Sequence, residues 1–387
     1  MTGTGIIGRA EPVAKDKYEV EVEGRTLRLS NLDRILYPET GFTKGDLIEF
    51  YEAIAPVLLP HLEGRPLTMR RYPGGVEGPG FWEKRCPAHR PDWVKTASVW
   101  SSSNEEEMDY CVVDDVASLV WAANLADIEL HTSLATAVER QTPTSVVFDL
   151  DPGEPADVLD CAGIALIIRD TLEQTGLESV VKTSGSKGLQ LYVPLNSGDT
   201  YEETRPFARS LARAFESEMP DRVVSKMKKS LRKDKVFIDW SQNAEHKTTV
   251  CVYSMRAKSR PSVSTPLNWD EVEAALEAGD ASMLDFGPSE VLARVERNGD
   301  LFEPLLVGQH RRQLHRADVH QGERLGLHPE RLCSRRARSS YPDAGARARA
   351  DRRARSLCRG RRARSPGVTA RRYDVFQRRL CKVAQER

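Results

Sequence analysis

Apolar and polar positions divide the chain into short strands and longer helices that follow no fixed rhythm. From Lys44 to Leu59 the residues Leu47, Ile48, Phe50, Tyr51 and Ile54 recur at helical spacing, with Pro56 near the end. The same period predicts helices over Val158–Glu173, Arg205–Met219, Asn268–Ala278 and Ser289–Glu296. Asp114–Leu130 reads as a further helical segment, with Val116, Leu119, Val120, Ala123 and Ile128 as its apolar positions. Short β-branched or alternating runs predict strands at Tyr18–Val22, Thr26–Leu29, Ser179–Lys182, Leu189–Pro194, Val236–Trp240 and Thr248–Ser254. Ser145-Val-Val-Phe-Asp-Leu-Asp-Pro-Gly153 reads as a strand ending in a turn, and Pro73–Gly80 as a loop. Strands and helices without a regular βαβ rhythm imply an α+β fold, built on mixed or antiparallel sheets flanked by helices.

Three stretches follow from this pattern. Residues 1–24 read as a mobile leader entering a strand, and 25–307 as the domain. The apolar period stops after about Val307, leaving 308–387 as an Arg-rich tail. At 387 residues the chain has the length of about two domains or one large one. No run approaches the roughly 18 apolar residues of a membrane span, and Met1–Ala10 lacks the signal-peptide pattern. No pair among the seven cysteines shows Cys-x-x-Cys spacing, which argues against a zinc site or a disulfide frame and for a reducing cytoplasm.

The formal net charge of zero hides an asymmetry. His310–Arg387 holds 22 Arg and 1 Lys against 7 acids, and the preceding residues are acidic by the same margin of 16. One reading of the tail is a basic arm for nucleic acid. The other is a disordered segment, or an out-of-frame translation of GC-rich DNA, which enriches Arg and Ala; near-absence of Lys favours it.

Candidate chemistry lies in the acidic body. Asp149 and Asp151 stand two apart on a strand, so they share a face. Two carboxylates so placed repel unless cations lie between them, and oxygen ligands suit Mg²⁺ or Mn²⁺. A third carboxylate, Asp239, ends the run Val236-Phe-Ile-Asp239. Three acids on adjacent strands can hold two metals for in-line phosphoryl displacement. Asp151-Pro-Gly153 as a simple turn is the bland alternative. Thr183-Ser-Gly-Ser-Lys-Gly188 lies between two strands, and its Ser184, Ser186 and Lys187 suit a triphosphate. The run Lys226–Lys235, with Lys226, Lys228, Lys229 and Arg232, leads into the strand of Asp239 and is read as a phosphate contact.

These elements, together with Leu29-Ser-Asn-Leu-Asp-Arg-Ile-Leu-Tyr-Pro38, Phe81-Trp-Glu-Lys84, Glu129-Leu-His131 and Val236-Phe-Ile-Asp-Trp-Ser-Gln-Asn243, resemble the polymerase domain of bacterial ligase D, in the archaeo-eukaryotic primase superfamily. The resemblance spans roughly residues 25–305. It implies a template-directed nucleotidyltransferase that adds nucleotides, often ribonucleotides, at DNA ends and short gaps during non-homologous end joining. Carried over, Asp149, Asp151 and Asp239 hold the two divalent cations, Mn²⁺ or Mg²⁺. Ser184, Lys187 and Arg256 hold the nucleoside triphosphate, and His131 and Gln242 line its pocket. Asn31, Arg34 and Lys44 grip a 5′-phosphate, with Arg34 where the family often has Lys. Phe81 and Trp82 stack on template bases, and Lys84 joins the basic run in contacting DNA. Gln190 departs from the family's usual His, so a nucleotide contact there lacks charge assistance.

No Lys-x-Asp-Gly ligase signature is present, so the resemblance implies a stand-alone polymerase domain with Ku and a separate DNA ligase as partners, in a bacterial cytoplasm at the nucleoid. A DNA-end module with weakened catalysis is the alternative, which Gln190 and the tail favour; an Asp-x-Asp nuclease is a third. Primer extension with Mn²⁺ separates them.

Overall fold

The structure, a computed structural model, describes residues 5–101, 105–195 and 198–306. The segment 308–387, with both readings of its charge, lies outside the described residues, as do Cys333, Cys358 and Cys381.

In chain order, α1 (Ile6–Arg9) precedes β1 (Glu11–Ala14), β2 (Lys17–Val22) and β3 (Arg25–Ser30). Next come β4 (Ile35–Tyr37), β5 (Phe42–Thr43), α2 (Lys44–Leu62), β6 (Leu67–Arg71), β7 (Phe81–Glu83), β8 (Lys95–Ser101) and β9 (Glu106–Val112). α3 (Val116–Asn124), β10 (Asp127–Thr132), β11 (Ser145–Pro152), α4 (Val158–Gln174), β12 (Val180–Thr183) and β13 (Leu189–Pro194) follow. The remainder is α5 (Tyr201–Glu218), β14 (Val223–Val224), β15 (Val236–Asp239), β16 (Thr249–Val250), β17 (Met255–Arg256), β18 (Ser262–Val263), β19 (Pro266–Leu267), α6 (Trp269–Ala278) and α7 (Pro288–Asn298).

Two six-stranded sheets carry the fold. One has the order β16-β10-β6-β9-β8, with β7 added on β6; the other is β14-β15-β11-β13-β12-β19. All their pairs are antiparallel except β14 with β15. Each has its own core. Leu47, Ile48, Tyr51 and Ile54 of α2 and Leu119 and Val120 of α3 pack with the first sheet. Ile164, Ala165 and Ile168 of α4 and Ala212 and Phe215 of α5 pack with Val146, Phe148 and Leu150 of the second. The α+β architecture with antiparallel sheets is therefore as the pattern implies.

Several boundaries differ for physical reasons. Residues 5–24 are a short helix and two strands of a three-stranded sheet, not a leader, with Ile6 fully buried and its amide donating to Glu52 Oε2 at 2.6 Å. The segment 114–130 splits: Asp115 caps α3 by accepting from the Ser118 amide, Ala126 takes a positive φ of 57°, and Ile128 and Leu130 lie on β10. α2 runs on to Leu62 through Pro56 and Pro60, both on its exposed side, where freed carbonyls can meet water. The β8/β9 hairpin has no counterpart in the sequence reading. Cys86 and Cys111 are joined in a disulfide, which corrects the expectation of unpaired cysteines; Cys161 and Cys251 are free and buried. Among the described residues no helix is long and apolar enough to cross a membrane.

Candidate active site

Register places the carboxylates. On β11 the apolar Phe148 and Leu150 point into the core beneath α4, so Asp149 and Asp151 take the opposite face. Asp239 on β15 stands directly opposite Asp149, and Gln190 on β13 stands opposite it on the other side. Lys182 on β12 pairs with Gln190, so Asp239, Asp149, Gln190 and Lys182 form one row across four strands.

The row is electrostatically tense. Burial, then repulsion from Asp151, pushes the Asp149 carboxyl up to about 7. Burial and Asp239 raise Asp151 as well, although Arg232 Nη1 lies 4.0 Å from its Oδ2. Asp239 Oδ1 accepts from the Ser241 amide at 2.9 Å and its hydroxyl at 2.6 Å, and Oδ2 accepts from Gln242 Nε2 at 3.0 Å. Gln242 thus orients a carboxylate. Among the described residues no three His, Cys, Asp or Glu groups close around one metal position. The donors nonetheless fit hard divalent cations: they are carboxylates sharing one face, and burial together with mutual repulsion raises Asp149, a cost that a bound cation would offset.

At the other end of the row Lys182 is fully buried and donates to Gln190 Oε1 at 2.6 Å and Ser264 Oγ at 2.7 Å. Its amine falls to about 7, chiefly through burial. Gln190 Oε1 also accepts from the Tyr192 hydroxyl at 3.3 Å.

The predicted glycine loop turns between β12 and β13. Ser184 Oγ accepts from the amides of Ser186 and Gly188, both at 3.2 Å, and so ties the loop shut. Gly185 has φ +63°, and a Cβ there would come within 2.7 Å of Arg256 Cγ and 2.8 Å of the Ser264 amide. A Cβ on Gly188 would collide with the Leu150 carbonyl oxygen. Arg256 Nη1 donates to the Ser184 carbonyl. Lys187 is exposed and donates to Glu154 Oε1 at 2.8 Å, and Lys258 donates to Ser186 Oγ at 2.9 Å. Three cations therefore converge on one loop.

His131 on β10 shares Glu129 with that cluster. Its Nε2 lies 2.9 Å from Glu129 Oε2, while Glu129 Oε1 accepts from the Ala257 amide at 3.0 Å and lies 3.3 Å from Arg256 Nε. Burial opposes the charge on Glu129, but His131 and Arg256 outweigh it and hold the carboxyl at about 2. The Trp82 ring meets His131 edge-on at 4.7 Å. Phe81 and Trp82 are 43% and 52% exposed, so they are not a core pair and are open to a partner. Arg70 and Arg71 stack on Trp82 and Phe81 at 4.7 and 5.2 Å.

The predicted 5′-phosphate residues gather at the start of α2. Asn31 adopts φ +51°, its carbonyl accepts from the Arg34 amide, and the Arg34 carbonyl accepts from the Lys44 amide. Arg34 Nη1 donates to the Pro73 carbonyl at 2.7 Å. Lys44 is 5% exposed, and burial followed by Arg34 and Arg71 lowers its amine to about 8. A buried amine ringed by cations suits an anion.

In the basic run Lys226 lies 3.8 Å from Glu216, Lys228 and Lys229 are exposed, and Arg232 lies over the Phe237 ring at 3.6 Å. Lys84 sits apart, beside Trp100 and Tyr110. The sequence reading assigns no role to Glu129, Lys182 or Lys258. Glu129 lies inside a quoted motif and Lys182 is a lone cation in an apolar strand, which is the available signal.

Carboxylates on antiparallel strands, a cation-lined glycine loop and exposed aromatics beside a buried His define a nucleotidyltransferase of the primase-polymerase type. The comparisons give the family. The model of the ligase D primase-polymerase domain (LigD_Prim-Pol) matches residues 43–302, and the chain belongs to this family. The chain is 39% identical over 285 residues to the multifunctional non-homologous end joining DNA repair protein LigD of Mycobacterium tuberculosis, covering 72% of this chain and 36% of that protein. It is 34% identical over 251 residues to the bifunctional non-homologous end joining protein LigD of Bacillus subtilis, covering 65% and 40%. The chain thus spans well under half the length of these relatives. The polymerase domain of the Mycobacterium tuberculosis protein, solved in complex with DNA, superposes with a TM-score of 0.68 at 37% identity, over 73% of this chain and 99% of that one.

Proposed function

We propose that this domain adds nucleotides, ribonucleotides by preference, to a primer at DNA ends and short gaps carrying a downstream 5′-phosphate, in double-strand break repair by non-homologous end joining. The observation that carries this reading is the carboxylate row Asp239–Asp149 on the sheet that also bears the cation-lined loop. Asp149, Asp151 and Asp239 would hold two divalent cations, Mn²⁺ or Mg²⁺, which supply charge neutralisation for phosphoryl transfer. Ser184, Lys187 and Arg256 bind the triphosphate, His131 borders the nucleotide, Gln242 fixes Asp239, and Gln190 adjoins the site through Asp149. Asn31, Arg34 and Lys44 bind the 5′-phosphate. Phe81 and Trp82 support template bases, and Lys84, Lys226, Lys228, Lys229 and Arg232 contact the backbone.

Lys187 and Arg256 already hold carboxylates, Glu154 and Glu129, so an arriving triphosphate exchanges one anion for another rather than meeting bare charge. Ku and a separate DNA ligase are the proposed partners, in the cytoplasm at the nucleoid. Primer extension on gapped DNA with a 5′-phosphate, Mn²⁺ and single nucleotides tests the reading. Wild-type protein is expected to extend, faster with UTP than with dTTP, and Asp149→Ala is not. Binding without extension under all these conditions would refute it.

A further inference from the structure

Two cavities on the molecule share a wall. One, of about 450 Å³, is bordered by Thr68, Lys84, Trp100, Tyr110 and Arg140. The other, of about 620 Å³, is bordered by Arg205, Arg209, Arg213 and Trp240. Glu245 and His246 line both, so the two form one trough. Its cations outnumber its acids: Lys84 and four arginines face Glu202 and Glu245. Glu245 is moreover occupied by Arg140 at 2.7 Å and Gln141 at 2.6 Å.

The arginines of α5 recur every fourth residue, which sets exposed guanidiniums along one helix face at intervals of ~6 Å, comparable with successive phosphates of a strand. Arg205 and Arg209 lie over the Trp240 ring at 5.6 and 5.2 Å. Trp100 at the far end is 49% exposed. Cations interleaved with aromatics suit an unpaired strand, whose bases can stack, and the cavity beside Trp100 is too small for a duplex. Thr68 is 1% exposed, lines that cavity, and its hydroxyl has no hydrogen-bond partner within the protein. Both ends adjoin the site: Thr68 pairs with His131 in the β6/β10 register, and Trp240 follows Asp239.

We propose that this trough is the track of an unpaired DNA strand, with Arg205, Arg209 and Arg213 gripping its phosphates and Trp100 stacking a base. The proposal rests on the reading that the domain acts on DNA ends.

The test is fluorescence anisotropy at several salt concentrations with two labelled duplexes, one with an oligothymidine 3′ overhang and one with a blunt end carrying a 5′-phosphate. The triple variant R205Q/R209Q/R213Q is expected to bind the overhang on the order of tenfold more weakly and to lose about 2 from the slope of log affinity against log salt. Its binding to the blunt end stays within about twofold, since that end has no unpaired strand and its 5′-phosphate engages the Lys44 region. The triple Arg→Lys variant restores the slope. Wild-type affinity and slope in the Gln variant would overturn the proposal, as would equal loss on both duplexes. If the wild-type protein adds no nucleotide to gapped DNA, the polymerase reading fails instead, a result independent of the overhang affinities.

Discussion

Asp149 and Lys44 show the same imbalance with opposite sign. At Asp149, burial first and then the neighbouring carboxylates push the carboxyl up to about 7. At Lys44, burial first and then Arg34 and Arg71 depress the amine to about 8. At the glycine loop, by contrast, two of the three cations, Lys187 and Arg256, each already hold a glutamate. A folded protein keeps such unbalanced charge only at a cost, and perturbed groups of this kind collect at functional sites. The difference matches the ligand proposed for each region: cations at the first, a phosphate at the second, and exchange of one anion for another at the third.

The comparison breaks most sharply at the carboxylates. Asp149→Ala or Asp239→Ala is expected to lower nucleotide addition at least about 10³-fold, since metal-assisted charge stabilisation supplies several kcal/mol. DNA affinity by anisotropy should stay near wild type, and retained extension activity would remove the metal assignment.

Lys44→Met comes next. Losing a charged hydrogen bond to phosphate costs roughly 1.5–3 kcal/mol, so the preference for phosphorylated over unphosphorylated gaps should fall about ten- to a hundredfold at fixed salt. The sign with pH follows from the depressed amine. The free protein holds the Lys44 proton below about 8 and loses it above. The preference should therefore weaken about tenfold between pH ~7 and ~9 in the wild type and stay flat in Lys44→Met.

A smaller effect separates architecture from chemistry. Gln190→Met removes an acceptor from Lys182 and leaves a buried amine short of a partner. Unfolding in urea should show a loss of roughly 1–3 kcal/mol. An unchanged midpoint would mean that Ser264 alone suffices. Smallest of all is removal of residues 308–387. Every assigned residue lies between Asn31 and Arg256, so melting temperature and extension rate should not change measurably.

How much of this was legible beforehand depends on whether the signal was local. Val146, Phe148 and Leu150 alternate with Asp149 and Asp151, so the strand and its polar face could be read directly. That Asp239 would stand opposite Asp149 could not, because register across distant strands leaves no trace in either segment. The split of 114–130 escaped because Val116–Asn124 and Asp127–Thr132 are both buried almost throughout, and a fully buried strand lacks the alternation that marks it. Glu129 and Lys182 were overlooked for a related reason. Their partners, Arg256, Gln190 and Ser264, come from other strands, and a buried charge declares itself only when its neighbours are known.

The four-residue row across β15, β11, β13 and β12 has a consequence for error control. Side chains on a strand alternate, so a slip of one position in the β11/β13 pairing would turn Asp149 inward against α4 and put Phe148 on the carboxylate face. The misaligned sheet would strand a carboxylate in an apolar layer and set a fully buried aromatic among polar side chains. The apolar layer beneath the sheet thus acts as a proofreader for the polar layer above it. A chain that mispairs is rejected by its own core before it can display a defective set of carboxylates.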